Sequence, residues 1–162
     1  MRRTTDTIPV PEKIIIVGGL PRTGKTLLRN ALGSHSQIAF TPSAFNFFQW
    51  CNEEMFHARG GFEGNMDFFL STRKSKNWKI TKDMVNYTGS DRRDLFLVIL
   101  DTYRRVYFPE KKYIGTYIHG SEEYFDIFLS WFGRERLKFI QIIRNPYDNY
   151  ASLVRSRKIS VE

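Results

Sequence analysis

Cysteine is nearly absent: Cys51 is the single one in 162 residues. An internal disulfide is therefore excluded, and no cysteine cluster exists to hold structural zinc. No apolar run approaches the roughly 20 residues that cross a bilayer. The opening MRRTTDTIPVPEK also lacks the apolar stretch of a secretion signal. The expectation is a chain without a membrane contact in a reducing, cytoplasmic setting, although a lumenal domain without its anchor has the same composition. Acidic residues are outnumbered, 17 Asp and Glu against 25 Lys and Arg, for a net charge of +8. That excess calls for an anionic partner, whether nucleic acid, an acidic polymer or a phosphorylated small molecule, or else serves solubility alone. Repeats, low-complexity tracts and Pro/Gly/Ser linkers are missing as well. One domain over 13–162 behind a loose arm, Met1 to Glu12, is the expectation. What is present suits a packed core: 41% hydrophobic and 15% aromatic residues.

Along the chain, KIIIV from Lys13 to Val17 has the uniform β-branched character of a strand buried on both faces of a parallel sheet. LLRNAL predicts a helix from about Gly24 to Gly33, closed by Gly33 in a left-handed cap. A short strand at Gln37 to Phe40 follows, then an aromatic segment, Phe45 to Phe56, compatible with helix. Gly60, Gly61 and Gly64 break the pattern, and a strand is expected at Trp78 to Thr81. Leu95, Ile99, Tyr103 and Val106 recur at helical spacing within Asp91 to Phe108, stopped by Pro109. Strand Tyr113 to Ile118, helix Ser121 to Phe132, strand Leu137 to Ile143 and a last helix opened by Asn145-Pro146 complete the series. Alternating strands and helices predict an α/β three-layer sandwich with a mainly parallel sheet.

Between the first strand and helix lies GLPRTGKT, Gly19 to Thr26. Gly, four residues, Gly, Lys and Thr in that setting wrap an anion in backbone N–H groups at a helix N-terminus. Lys25 adds a point charge, and the hydroxyls of Thr23 and Thr26 can donate to phosphate oxygens. The bland alternative is a glycine turn without a ligand. Triphosphatases, kinases and sulfotransferases all use such a loop, so it does not name a reaction.

The neighbouring letters are more specific. GLPRTGKTLLRNALGSHSQIAF resembles the 5′-phosphosulfate loop of the sulfotransferase superfamily through Pro21, Arg22, Thr23, Gly24, Lys25, Thr26, Leu27, Leu28 and His35. It departs at Lys25, where the family usually has Thr. The end of the last strand, FIQIIRNPYDNYASLVRS, resembles the family's 3′-phosphate motif, with Arg144 after the strand and Ser152 eight residues on. A guanidinium and a hydroxyl at that spacing can close on one phosphate. Singly, each residue reads better as an ordinary surface group; together at this spacing they favour a phosphate pair.

The resemblance implies a P-loop NTPase-like fold and a sulfotransferase using 3′-phosphoadenosine 5′-phosphosulfate (PAPS), without metal. Pro21 to Leu27, Arg144 and Ser152 would bind the donor, and Arg22 and Lys25 would help the leaving phosphate. The acceptor would be a hydroxyl or amine on a small molecule or glycan, not nucleic acid. His119, after the strand Tyr113 to Ile118, is the candidate acceptor base, against a simple capping role. Glu53, Glu54 and Asp83 are weaker ones, because related enzymes show a Glu where this chain reads Thr41-Pro42-Ser43. Their Lys-Thr-Pro run is likewise replaced, by GTYIHG. The cluster Phe45, Phe47, Phe48, Trp50 and Phe56 could line an acceptor pocket or pack the core. Arg73, Lys74, Lys76 and Lys79 could attract an acidic polymer or be solvated. Since family domains usually run on past the second motif, truncation at the carboxyl end is expected.

A magnesium-ATP kinase or triphosphatase remains a rival reading. It needs an acid at a strand end, and LFLVILD, ending at Asp101, has that look unless the segment is helical. A non-enzymatic polyanion-binding module is the second rival.

Overall fold

Every residue of β1 (Ile14–Gly18) is buried, as an unbroken apolar run must be in a sheet covered on both faces. The computed structural model of the chain describes residues 11–157; the expected amino-terminal arm falls almost wholly outside them. β1 pairs in parallel with β3 (Tyr113–Tyr117) on one side and β4 (Leu137–Gln141) on the other, and β2 (Ile38–Phe40) pairs with β3. The four-stranded order is β2-β3-β1-β4. The connection leaving β1 passes β3 to reach β2, whereas the one leaving β3 passes β1 to reach β4. Connections departing in opposite directions from adjacent strands open a crevice at the strands' carboxyl ends, where ligands of such sheets bind.

Alternation along β1 divides the core. Ile15 and Val17 pack with Phe40 beneath Leu28 and Leu32 of α1 (Lys25–Gly33). Ile14 and Ile16 point into the larger cluster on the opposite face, with Leu95, Phe96 and Ile99 of α5 (Arg92–Tyr107) and Phe128 and Phe132 of α6 (Phe125–Arg136). Helices thus cover both faces, giving the three layers that the alternation of elements implies. Phe45, Phe47, Phe69, Trp78 and Phe96 are fully buried in this second cluster, each contributing about 2–3 kcal/mol over its exposed state. The aromatic segment is therefore core and does not wall a cavity. It forms a 3-10 turn at Phe47–Gln49 and then α2 (Glu53–Ala58), in place of one continuous helix.

Several boundaries differ from expectation. Gly33 is the last residue of α1 and not a left-handed cap; the cap is Ser34 at φ −76°. The glycines after α2 start a helix and do not interrupt one: Gly60 at φ 79° leads into α3 (Gly61–Ser71). Trp78 to Thr81 is not a strand. Trp78 ends α4 (Arg73–Trp78), and Lys79, at φ 54°, closes it. α5 runs unbroken through Asp101, so the acid is on a helix and not at a strand end. β4 stops at Gln141, two residues before Ile143. The last helix, α7 (Pro146–Arg157), begins where expected, with the Asn145 side chain accepting the Tyr147 N–H at 2.9 Å and proline in the first turn.

Candidate active site

The loop from Gly19 to Thr26 leaves β1 in a tight curl. Gly19 sits at φ 125°, and a Cβ there would lie 2.6 Å from the Ile142 carbonyl oxygen, so glycine lets the loop press against the end of β4. Arg22 holds a left-handed φ of 69°, a costly conformation for a non-glycine residue and typical of ligand-clamping loops. Gly24 caps α1, and Leu27 and Leu28 return their N–H groups to its carbonyl at 3.0 and 3.2 Å. The amides of Lys25 and Thr26 belong to the first turn, which has no intrahelical acceptors for them.

The Lys25 side chain folds under the loop, only 4% exposed. Its ammonium donates to the Gly19 carbonyl at 2.5 Å, to the Leu20 carbonyl, and to Thr23 Oγ1 at 3.5 Å. Burial pushes its pKa below the ordinary lysine value, partly offset by the Glu122 carboxylate. Thr23 is buried, with its hydroxyl donating to the Leu20 carbonyl at 2.8 Å. Leu27 is 77% exposed. The structure brings neither of these two to the cavity wall, although sequence reasoning grouped them with the binding residues.

Arg144 and Ser152 do meet the loop. Arg144 Nη1 donates to the Arg22 carbonyl at 3.1 Å, and Arg22 Nε donates to Ser152 Oγ at 3.1 Å. A cavity of about 450 Å³ is lined by Pro21, Arg22, Gly24, Lys25, Thr26, Tyr117, His119, Arg144 and Ser152. Its size suits a nucleotide-scale ligand. The ends of β1, β3 and β4 all contribute, with Lys25, Arg22 and Arg144 as its cations.

His119 forms the far wall. Its backbone N–H donates to Asn46 Oδ1 at 3.1 Å, its ring stands edge-on to Tyr117 at 6.0 Å, and its buried Nδ1 has no hydrogen-bond partner among the described residues. Burial holds the imidazole pKa below the usual histidine value, and the ammonium groups of Lys25 and Lys74 push it the same way. Tyr117 and Asn46 escaped the sequence reading as site residues, and Lys74 entered it only as one of the basic residues Arg73, Lys74, Lys76 and Lys79. Tyr117 alone carried a usable signal, two places before His119 at a strand's carboxyl end.

The other acids and histidines stand elsewhere. Glu53 bridges Arg92 at 2.9 Å and His57 at 3.2 Å, and none of Glu53, Glu54 and Asp83 lines the cavity. His35 is exposed and accepts the Gln37 N–H at Nδ1. Thr41, where a carboxylate was sought, is buried and shares a 2.8 Å hydrogen bond with Thr116.

A parallel sheet whose central strand feeds a glycine loop and helix N-terminus, with cations at the ends of β1 and β4, defines an α/β domain of the P-loop type. The sulfotransferase family model matches residues 14–160, both motifs included, and the chain belongs to that family. No curated protein matches it. Family membership makes the protein a transferase, and no helix among the described residues is long and apolar enough to cross a membrane.

Proposed function

We propose that the protein transfers the sulfuryl group of PAPS to a hydroxyl or amine acceptor. What carries the reading is the meeting of Arg22 and Lys25 with Arg144 and Ser152 on one cavity, although the two groups lie far apart along the chain. When bound, PAPS supplies a sulfuryl group attached to a phosphate leaving group. The Lys25 and Thr26 amides and the Thr26 hydroxyl hold the 5′-phosphate at the helix N-terminus. Arg144 and Ser152 hold the 3′-phosphate. Arg22 and Lys25 stabilise charge gathering on the leaving oxygen, inside a partly desolvated site where such stabilisation is strongest. His119 takes the proton from the acceptor oxygen or nitrogen. A magnesium-nucleotide reading is disfavoured because Asp101, its needed acid, is fully buried on α5 between Arg104 and Arg105.

Calorimetry with 3′-phosphoadenosine 5′-phosphate and with ATP, each with and without magnesium, tests this. Tight, metal-independent binding of the bisphosphate is the expected result; a preference for magnesium-ATP reverses it. Arg144→Ala should weaken the bisphosphate far more than adenosine 5′-phosphosulfate, which lacks the 3′ group. Equal losses would give Arg144 a different job.

The base makes a separate prediction. His119 must be neutral to accept a proton, and its pKa is lowered, so its neutral form extends below the usual value near 6.5. The transfer rate should rise with pH through a pKa below that value and be flat by pH 7. In His119→Gln the rate should fall about 10²–10⁴-fold and this acid limb should vanish. An acid limb surviving in the variant assigns the proton to another group.

A further inference from the structure

Past the end of β2, residues 41–46 run beside β3 and form the strip behind His119. Thr41 N–H donates to the Gly115 carbonyl and Phe45 N–H to the Tyr117 carbonyl, both at 2.9 Å, before Asn46 Oδ1 accepts the His119 N–H at 3.1 Å. Lys74 reaches this strip from α4. Its ammonium donates to the Ala44 carbonyl and, at 3.5 Å, to Ser43 Oγ, which Trp78 Nε1 also holds at 2.8 Å. From the other side the Arg29 guanidinium donates to the Pro42 carbonyl.

Neither cation forms an ion pair with a carboxylate among the described residues. Lys74 is half-buried and has only neutral acceptors, and Arg73 and Lys76 stand exposed on the same short helix. A half-buried ammonium without a counter-ion costs folding energy unless an anion arrives to share it. The donor proposed above already engages Arg22, Lys25 and Arg144, at the ends of β1 and β4. Charge on the β2 side is left for the other substrate.

We propose that the acceptor carries an anionic group, a carboxylate or sulfate beside its nucleophilic atom, and that Lys74 is the residue that selects it. This rests on the reading that transfer takes place in the cavity bounded by His119. Lys74 holds the Ala44 carbonyl and Asn46, two residues on, holds His119, so the ammonium stands on the segment that backs the cavity wall.

The test is binding of trigalacturonate and of neutral galactotriose to the protein loaded with 3′-phosphoadenosine 5′-phosphate. Trigalacturonate should bind at least about tenfold more tightly, the scale of one charge-assisted hydrogen bond. Lys74→Gln should abolish the preference and Lys74→Arg should retain it, with bisphosphate affinity unchanged in both. In the unsubstituted protein, trigalacturonate but not galactotriose should slow acetylation of Lys74, a readout that needs no variant to fold. Galacturonate matching the trimer would support a small acidic acceptor, and affinity rising with length would support an acidic polymer. Equal affinity for the two trisaccharides, or a preference that survives Lys74→Gln, overturns the proposal. A Lys74-dependent preference without bisphosphate binding sustains it and removes the donor assignment instead.

Discussion

Lys25→Met is expected to lower sulfuryl transfer about a thousandfold while the protein remains folded. The substitution keeps the length and apolar stem of the side chain and removes only the charged head. Two structural acceptors, the Gly19 and Leu20 carbonyls, lose their donor, at a cost of about 1–3 kcal/mol for buried groups left unpaired. Against that, burial already disfavours the ammonium, as its lowered pKa records, so folding gains little from the charge itself. A loss of one preorganised donor to a developing anion costs about 10²–10³ in rate, and the thousandfold end corresponds to about 4 kcal/mol. The effect on the reaction should therefore exceed the effect on the fold. Melting curves and a labelled-donor transfer assay separate them. A rate loss under tenfold, or one that merely tracks unfolding, makes Lys25 a strut of the loop and not a participant.

The parts legible from the sequence are those encoded over short spans. β1 announces itself as the β-branched run KIIIV, Lys13 to Val17, one residue ahead of the observed Ile14–Gly18, α5 as a long helical apolar stripe, and α7 as Asn-Pro after a strand. The glycine loop from Gly19 to Thr26 was readable because its glycines, Lys25 and α1 are adjacent in the chain. Arg144 and Ser152 were readable through family spacing, but their contact with Arg22 follows only from the parallel pairing of β1 with β4.

Residues 60–82 were not legible, because tertiary contacts override the local glycine signal there. Phe62, Met66 and Phe69 bury one face of α3 in the core. Asn65, a buried polar residue, ties the turn together by donating to the Phe56 and Gly61 carbonyls at 2.9 and 2.7 Å. Gly64 allows this packing, since a Cβ there would fall 1.6 Å from the Arg59 carbonyl oxygen. Lys74 illustrates the same limit at the site. In the sequence it is one basic residue among several, and only the packing of α4 against residues 43–44 distinguishes it.

Asp101→Ala should be among the most destabilising single substitutions outside the apolar core, while sparing nucleotide affinity. The carboxylate is fully buried, yet both its oxygens are matched: Oδ1 accepts Arg104 Nε at 3.0 Å and Nη2 at 2.8 Å, and Oδ2 accepts Arg105 Nε at 3.0 Å. Arg104 also donates from Nη1 to the Lys111 carbonyl at 2.7 Å, so the triad fastens the turn between α5 and β3. Arg105 lies over the Tyr87 ring at 4.8 Å and secures the segment before α5. Removing the acid strands two partly buried guanidinium groups beside each other. Breaking a buried pair in this way costs about 3–5 kcal/mol, and the partial exposure of both arginines places the expected loss near the lower figure, about 3 kcal/mol. For a chain of this length that is a fall of about 6–12 °C in the thermal midpoint. Because Asp101 lies on a helix and off the cavity wall, bisphosphate affinity below the melting range should be unchanged, with and without magnesium. Loss of a magnesium-dependent nucleotide affinity in Asp101→Ala would make the carboxylate a metal ligand after all, and would return the chain to the kinase and triphosphatase reading that its place on a helix disfavours.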